Sequence, residues 1–407
     1  SGGVLQTSAG FGSTIAPSLT GGRLVSGAGS ELIFTTDVTT PSRPLTVSSA
    51  IGGAHTLTKT GDGTLKLSSA NNDFTGVTYL KAGTLQVTGG NAIGDSSLVN
   101  ISTTRSSVFE LLGNETIGGI VGGNSAAGGE SYVRLNANTL RVNQTASQNL
   151  TLFLTGDAGS SFILNAGSVG NLNYNQNTTA TFLGSLVVNG GLFQMSANGA
   201  LGVSAITVTK AALLLDNNGT TRLGTRIPDT SPVTLHSADG SWSGQTFPTG
   251  LAIRTDQNAG TSETIGALNF GSGASYLYAT ASGGTSAVAG FTASDFVRSQ
   301  SATLAFRGRL LNSATNVAGR NFFRIVATSA QETAFIATLI GGGGAVDTKT
   351  ISILPWAIGE TADTNPGDAN MGNSLATYSS AISGLRPLSL TTEYNTFATK
   401  AGATDNI

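Results

Sequence analysis

The stretch that decides the fold is KTGDGTLKLSSANNDFTGVTYLKAGTLQV at positions 59–87, in which the triplet Gly-Thr-Leu occurs twice. After each triplet the apolar residues alternate with polar ones, at Leu65 and Leu67 and again at Leu85 and Val87. Period-two alternation with one apolar side is typical of a strand that buries one face. The stretch therefore predicts two short strands that point these apolar side chains inward.

The spacing of the two triplets predicts a coil rather than a hairpin. Each strand follows a Gly-containing turn, and a return after about twenty residues is typical of a solenoid. Leu57 is predicted to join the same inward apolar column, and Lys66 and Gln86 are predicted to face solvent. Weaker similarities between other segments also indicate repetition, for example between ETIGGI at 115–120 and ETIGAL at 263–268.

Composition supports an all-β fold. The chain has 407 residues, 56 of them Gly, with 39% hydrophobic and only 10% charged residues. Abundant Gly, Ser, Thr and Asn disfavour helix, whereas the apolar fraction is large enough for a continuous core. The net charge of −2 and the lack of a basic block argue against nucleic acid, and the absence of Cys excludes disulfides and thiolate metal sites.

Two regions of the chain differ in composition and in hydrophobic pattern. Strand-like segments recur through residues 1–345, which we predict to form a right-handed parallel β-helix (a β-solenoid) of roughly 20-residue coils. Residues 346–407 carry more Pro, Trp and Tyr and are predicted to form a small β-rich terminal or connecting module. Between strands, SAQETAFIATL at 329–339 fits a short helix or an edge strand. No apolar run is long enough for a membrane-spanning helix.

The stretch LTKTGDGTLKLSSANNDFTGVTYLKAGTLQV resembles the autotransporter-associated β-strand repeat over about 35 residues. The matching positions, with the closing strand residue Val87, are Leu57, Lys59, Gly61, Gly63, Leu65, Leu67, Asn72, Phe74, Gly76, Gly83, Thr84 and Leu85. This resemblance implies a parallel β-helix on a bacterial surface, as in adhesins, autotransporter passengers and very long structural proteins. It implies no catalytic residue, because the motif marks the scaffold.

Motifs for catalysis are weak. Lys59 begins a Lys-Thr-Gly triplet found in penicillin-binding proteins, but the Ser-x-x-Lys nucleophile motif that should accompany it is absent. The two histidines, His55 and His236, are interpreted as exposed turn residues. Trp242 and Trp356 are interpreted as residues that fill the core or cover the ends of the rod, rather than as surfaces on which sugars stack. We therefore predict that the chain is not an enzyme and carries no cofactor.

One oxygen-rich cluster stands out, DTNPGDAN at 363–370. Asp363, Asn365, Asp368 and Asn370 could gather hard ligands for Ca²⁺, but the spacing is not that of an EF-hand. An Asx-rich turn is favoured over a calcium site.

The sequence favours an extracellular structural protein of a bacterial surface: a rigid β-helical rod that forms part of a fibre, stalk or matrix. Low charge and abundant Ser, Thr and Asn give a hydrated surface suited to that role. The alternative is an adhesin passenger that binds glycan or host protein through loops, and a polysaccharide lyase is least favoured. Because neither end reads as a blocked cap, self-association or neighbouring segments of a longer chain are the expected partners, and glycans are a further candidate.

Overall fold

The structure is a computed structural model that describes residues 3–7, 14–15, 22–25, 29–37, 44–102, 104–123, 129–167, 170–236, 249–256, 260–281, 287–299, 301–313, 319–361, 374–382 and 384–394. Two compact units divide the chain. The first comprises Ser1–Phe193 with Gly199–Ser204, and the second comprises Gln194–Asn198 with Ala205–Ile407. The boundary between residues 345 and 346 stays a prediction.

Strands make up almost all of the regular structure. Those of the first part of the chain are β1 (Gly3–Thr7), β2 (Thr14–Ile15), β3 (Arg23–Val25), β4 (Glu31–Thr36), β5 (Leu45–Val47), β6 (Ala50–Gly52), β7 (Thr56–Thr60), β8 (Thr64–Leu67), β9 (Thr78–Leu80), β10 (Gly83–Val87), β11 (Leu98–Ile101), β12 (Ser107–Leu111), β13 (Glu115–Ile117), β14 (Gly119–Gly123), β15 (Tyr132–Arg134), β16 (Thr139–Gln144), β17 (Gln148–Thr151), β18 (Phe153–Thr155), β19 (Ser161–Ala166), β20 (Asn171–Tyr174), β21 (Asn177–Thr178), β22 (Ser185–Asn189), β23 (Leu192–Met195) and β24 (Ala200–Leu201). They are followed by β25 (Ala205–Thr209), β26 (Ala212–Asn217), β27 (Val233–His236), β28 (Gly250–Thr255), β29 (Thr261–Ile265), β30 (Leu268–Ser272), β31 (Ala274–Ala281), β32 (Ala289–Ala293), β33 (Phe296–Arg298), β34 (Thr303–Arg307), β35 (Phe322–Ile325), the helix α1 (Ala330–Ile336), β36 (Leu354–Glu360), β37 (Ser374–Ser379) and β38 (Gly384–Pro387).

In the first unit, successive coils contribute parallel strands to three faces. The first face runs β1-β4-β7-β9-β11-β14-β17-β20. The second runs β2-β5-β8-β10-β12-β15-β18, and the third contains β13-β16-β19-β22. The prediction of an all-β protein built of stacked parallel coils, a β-solenoid, is confirmed.

Apolar side chains fill the interior of these coils. On the second face one column in register is Leu45, Leu65, Leu85, Phe109, Val133 and Leu154, and none of them is more than 3% exposed. Leu67 and Val87 form a second buried column of the same face, whereas Leu57 lies on the first face. All five predicted residues thus point inward, but in three columns rather than one. Alternate residues of one strand form two separate columns on the second face, and Leu57 belongs to another face.

The second unit also has three faces of parallel strands: β26-β28-β31-β34-β36, β29-β32-β35 and β25-β27-β30-β33. Its coils are longer than predicted. The register from Leu65 to Leu85 in the first unit matches the expected coil of roughly 20 residues. In the second unit, however, Leu215 pairs with Ile253 and Phe306 with Gly359. More residues separate these register partners than in the first unit, and those between Phe306 and Gly359 include β35 and α1, yet the strands still stack in parallel.

The last described part of the chain departs from parallel stacking. Helix α1 occupies the segment for which helix and edge strand were both open, and Ser329 caps it by accepting the amide of Glu332. Strand β36 stacks in parallel on β34, and β37 pairs antiparallel with β36 and with β38. Strand β38 also pairs in parallel with β35, where Gly384 lies opposite Phe323. No helix in the described ranges has the length and apolarity needed to cross a bilayer.

Candidate functional site

Lys59 is an ammonium group inside the solenoid. It stands in an inward position of β7 and is 0% exposed. Its Nζ donates to the carbonyl oxygens of Thr60 at 2.9 Å, Gly61 at 2.6 Å and Ala82 at 2.9 Å. Three carbonyls satisfy the three donors of an ammonium group. The Lys-x-Gly of the repeat therefore builds a corner in which a buried cation joins two coils.

The electrostatics of Lys59 agree with a scaffold role. Burial lowers its pKa to about 8, while the nearby carboxylates of Asp62 and Asp37 act in the opposite direction. A catalytic lysine must reach a substrate, but this amine is enclosed by backbone. The interpretation of Lys-Thr-Gly as a β-helix corner fits this geometry.

The glycines of the repeat occupy backbone positions that other residues resist. Gly61 and Gly83 have φ values of +76° and +69°. A Cβ on Gly83 would lie 2.5 Å from the carbonyl oxygens of both Gly61 and Gly63. The corner closes with Gly63 donating to Thr36 O at 2.7 Å and Thr84 donating to Gly63 O at 3.1 Å. These glycines allow successive corners to stack without a gap.

Asn72 links three coils. Its Oδ1 accepts the amide of Ile51 at 2.8 Å, and its Nδ2 donates to the carbonyl of Ala92 at 2.6 Å. The side chain is 1% exposed, so these bonds satisfy polar atoms that water does not reach. Phe74, two positions on, is fully buried, and a Cβ on Gly76 would lie 2.0 Å from His55 O. None of the repeat residues is exposed.

The expectation that both histidines are exposed turn residues is wrong. His55 is 2% exposed, and its ring stacks on Phe74 with centroids 6.0 Å apart. Burial lowers its pKa, which favours the neutral ring. His236 is half-buried at the end of β27, where its Nδ1 lies 3.1 Å from Ser272 Oγ. The sequence could not predict the burial of His55, because it does not show that the ring of Phe74 lies beside it.

Within the described ranges, no group of three or more His, Cys, Asp or Glu is placed to hold a metal ion. The weak calcium candidates Asp363, Asn365, Asp368 and Asn370 lie outside the described residues, as does Trp242. The calcium hypothesis therefore stays a prediction.

A cleft of about 320 Å³ lies on the outer side of β31, β34 and β36 in the second unit. Tyr276, Pro355, Trp356 and Ile358 line it, with Thr303 among the smaller residues. Opposite β37 the register of β36 shifts between Leu354 and Ile358, so the residues between them bulge from the ladder. Bulges commonly re-aim side chains next to functional sites.

Trp356 packs against buried aromatic rings, of which Phe270 is 0% exposed. Its ring centroid lies 5.6 Å from that of Phe270, and the guanidinium of Arg298 lies 5.3 Å from the ring. The tryptophan is half-buried, which agrees neither with a core plug nor with a free platform. The residues that line the cleft carry no formal charge, so the cleft suits a neutral, partly apolar group. Tyr276 had no signal in the sequence, because only the stacking of strands aligns it with Ala305 of β34 and, through that residue, with Ile358 of β36.

Comparisons with known proteins agree with this architecture. The family model of the passenger-associated-transport-repeat matches residues 57–87. The chain is 26% identical over 253 residues to a protein named Adhesin BmaC autotransporter, from Brucella suis biovar 1 (strain 1330). That alignment covers 60% of this chain and 6% of the relative, so the chain spans only a small part of the relative's length. No solved structure matches the chain.

The residues matched by the repeat model include Lys59 and Asn72. Both side chains donate hydrogen bonds to backbone carbonyls of a neighbouring coil. The stacked coils, the repeat match and the similarity to an autotransporter adhesin point the same way. The chain carries a passenger-associated-transport-repeat at residues 57–87 and has a β-solenoid fold.

Proposed function

We propose that this chain is a structural segment of a bacterial surface protein, a rigid β-helical rod in a fibre, stalk or matrix, and not an enzyme. One observation carries the proposal. The side chains of the repeat are used for contacts between neighbouring coils, as when Lys59 binds Ala82 O and Asn72 joins Ile51 to Ala92. Solenoids built this way gain stability coil by coil, so length can grow by adding copies.

A location outside the cell is part of the same proposal. It is supported by the passenger-associated-transport-repeat match and by the similarity to a protein named as an autotransporter adhesin. Outer faces bearing ladders of amides and hydroxyls, such as Asn143, Asn165 and Asn189, are also suited to water. These contacts stabilise neighbouring strands on the solvent side.

Electron tomography of the native bacterium tests this proposal. Gold-labelled antibodies against the folded 407-residue chain should decorate fibres or stalks outside the outermost membrane, and the label should vanish when the coding sequence is deleted. Label inside the cell, or decoration that persists after deletion, would contradict the proposal.

Association between copies, or with neighbouring segments of a longer chain, belongs to the structural role. Apolar side chains in the last part of the second unit support it, since Ile340 is 63% exposed and Leu390 is 60% exposed. A nearby cleft of about 440 Å³ is lined by Ile336, Leu339 and Val346, among others. Light scattering should show a mass that rises with protein concentration, and Ile340→Ser with Leu390→Ser should reduce that rise. A concentration-independent monomer mass would exclude self-association.

A second candidate function is that of an adhesin passenger that binds glycan. The uncharged cleft lined by Tyr276 and Trp356 supports it, because aromatic side chains pack well against the apolar faces of sugar rings. Purified chain on a glycan array should bind a subset of neutral glycans, and Trp356→Ala or Tyr276→Ala should reduce binding at least tenfold. Tyr79→Ala, a half-buried tyrosine of the first unit, is the matched control. Absence of glycan binding would contradict this second candidate.

A further inference from the structure

Two corners of the solenoid share a sequence that the family match does not cover. The first pairs NAIGDSSLV at 91–99 with ETIG at 115–118 in the next coil. The second pairs TRIPDTSPV at 225–233 with ETIG at 263–266. We call these the ETIG corners. One lies in each unit, and each brings a glutamate into the coil interior.

In the first ETIG corner the carboxyl group of Glu115 accepts two consecutive backbone amides of the preceding coil. Its Oε2 lies 3.1 Å from Ala92 N, and its Oε1 lies 3.0 Å from Ile93 N. Gly118 donates to Ser97 O at 2.9 Å. The glutamate therefore holds the loop of one coil to the strand of the next.

The second ETIG corner repeats this arrangement. Oε1 of Glu263 accepts the amide of Ile227 at 2.8 Å, and the amide of Arg226 also acts on this carboxyl group. Gly266 donates to Ser231 O at 2.9 Å, which matches the bond from Gly118 to Ser97. The glycines match as well, since a Cβ on Gly118 would lie 2.2 Å from a carbonyl oxygen and one on Gly266 would lie 2.5 Å from a carbonyl oxygen.

Neutral side chains perform the same task elsewhere in the chain. Oδ1 of Asn72 accepts the amide of Ile51. Oε1 of Gln144 accepts the amide of Ile120 at 3.0 Å. Oδ1 of Asn321 accepts the amide of Ala289 at 3.1 Å. A neutral acceptor is therefore sufficient for one such bond. Glu115 differs because its second oxygen accepts a second amide, and a glutamate can also ionise.

Both glutamates are placed where ionisation is costly. Glu115 is 2% exposed, and burial raises its pKa to about 7, with the amides of Ile93 and Ala92 opposing and Asp95 reinforcing the rise. Glu263 is 0% exposed. In the described structure its Oε2 is buried without a hydrogen-bond partner, so a negative charge there would be poorly compensated.

For Glu263, burial raises the pKa to about 8. The amides of Ile227 and Arg226 and the guanidinium of Arg226 oppose this rise, while the carboxylate of Asp229 reinforces it. Burial dominates in both corners because the carboxyl group has exchanged water for two amide donors and apolar neighbours.

We propose that the ETIG corners are acid-stabilised joints, held in the folded solenoid by protonated carboxyl groups and loosened when those protons are lost. In the unfolded chain a glutamate releases its proton near its ordinary pKa of 4.5. Between that pH and neutrality the folded state therefore binds more protons than the unfolded state, and stability falls as the pH rises. This response concerns the fold and would be present whatever the chain binds.

The test uses the full 407-residue chain and its Glu115→Gln/Glu263→Gln double variant. For the wild type, the unfolding equilibrium constant in urea should rise by roughly four orders of magnitude between pH 5 and pH 8, about two from each glutamate. The double variant should lose most of this dependence, because glutamine stays neutral between pH 5 and pH 8. At position 115 it keeps one of the two amide bonds, so any loss of stability from the missing acceptor should be the same at both pH values. Glu110→Gln/Glu130→Gln removes the same charge from less buried sites and should keep the wild-type profile.

Hydrogen exchange followed by mass spectrometry gives a local measurement. After correction for the intrinsic pH dependence of exchange, peptides that contain the amides of Ile93 and Ile227 should lose protection at pH 8 relative to pH 5 in the wild type only. Equal slopes in the wild type and the double variant would overturn the proposal. Failure of the single variant Glu263→Gln to fold would also overturn it, because among the described residues Oε2 of Glu263 makes no bond that glutamine would lose, and the corner would then require the ionised carboxylate.

Discussion

The ammonium nitrogen of Lys59 lies 2.9 Å from the carbonyl oxygen of Ala82, which belongs to the following coil. Lys59→Met removes this bond and those to Thr60 O and Gly61 O, and leaves three carbonyls without their donor. We expect a loss of about 2–4 kcal/mol in the free energy of unfolding, since buried acceptors without partners are costly. Urea unfolding followed by circular dichroism measures it.

Lys66→Met is the matched control for Lys59→Met, because Lys66 lies on the outer side of the next strand and is only half-buried. It should change stability by less than about 0.5 kcal/mol. Equal effects of the two substitutions would show that the three hydrogen bonds from Lys59 to backbone carbonyls do not stabilise the fold.

Gly83→Ala should destabilise the repeat corner. The residue has a φ of +69°, and its Cβ would meet two carbonyl oxygens at 2.5 Å. The left-handed conformation alone costs an alanine roughly 1–2 kcal/mol, and the clash adds to that. Gly167→Ala, with nothing within 4 Å of the added Cβ, should be neutral or slightly stabilising. A thermal melt in which both variants match the wild type would refute the close stacking of corners.

Deletion of residues 66–85 should yield a folded chain that lacks one coil. Leu65 and Leu85 are register partners, so the joined strand keeps every inward side chain inward and meets Phe109 in the following coil. Deletion of 66–84 shifts the strand by one residue and turns its apolar side chains outward. We expect cooperative unfolding for the first deletion and aggregation or loss of cooperativity for the second. Indistinguishable behaviour would argue that coils are not modular units.

Arg386→Met should strongly destabilise the last described strands. The guanidinium donates to Glu393 at 2.6 and 2.8 Å, and the two residues are 1% and 0% exposed. Burial pushes the pKa of Glu393 upward, but the bonds from Arg386 and from backbone amides outweigh it and leave the pKa below its usual value. Leaving this carboxylate unpaired should cost roughly 3–5 kcal/mol.

The double variant Arg386→Met/Glu393→Gln should recover part of the loss caused by Arg386→Met, because it removes the stranded charge and keeps an acceptor for the amide of Asp347. Arg105→Met breaks an exposed ion pair with Asp62 and should cost less than about 1 kcal/mol. A double variant no more stable than Arg386→Met alone would mean that the lost packing of the arginine, and not the charge, dominates.

The sequence alone specified the fold class through local patterns. Alternation at Leu65, Leu67, Leu85 and Val87 fixes which side of each strand is apolar, and the twenty-residue return predicts parallel stacking. Both signals are carried by residues close in the chain, so no tertiary information is needed to detect them. Coil length in the second unit was not predictable in the same way, because extra residues between stacked strands change the period and leave the apolar pattern of the strands intact.

What only the tertiary structure decided is where polar side chains find their partners. Lys59, His55 and Glu115 look like surface residues in the sequence, yet each is buried against a different coil. Their partners are backbone carbonyls, a phenyl ring and backbone amides, which carry no residue-specific signal in the sequence. A polar group can be buried only where a donor or acceptor is close. That partner is about twenty residues away along the chain, but stacking brings it to one strand spacing away. The alternation of side chains determines which residues form strands and which face is apolar. The stacking of coils determines which backbone groups bind the buried polar side chains at the corners.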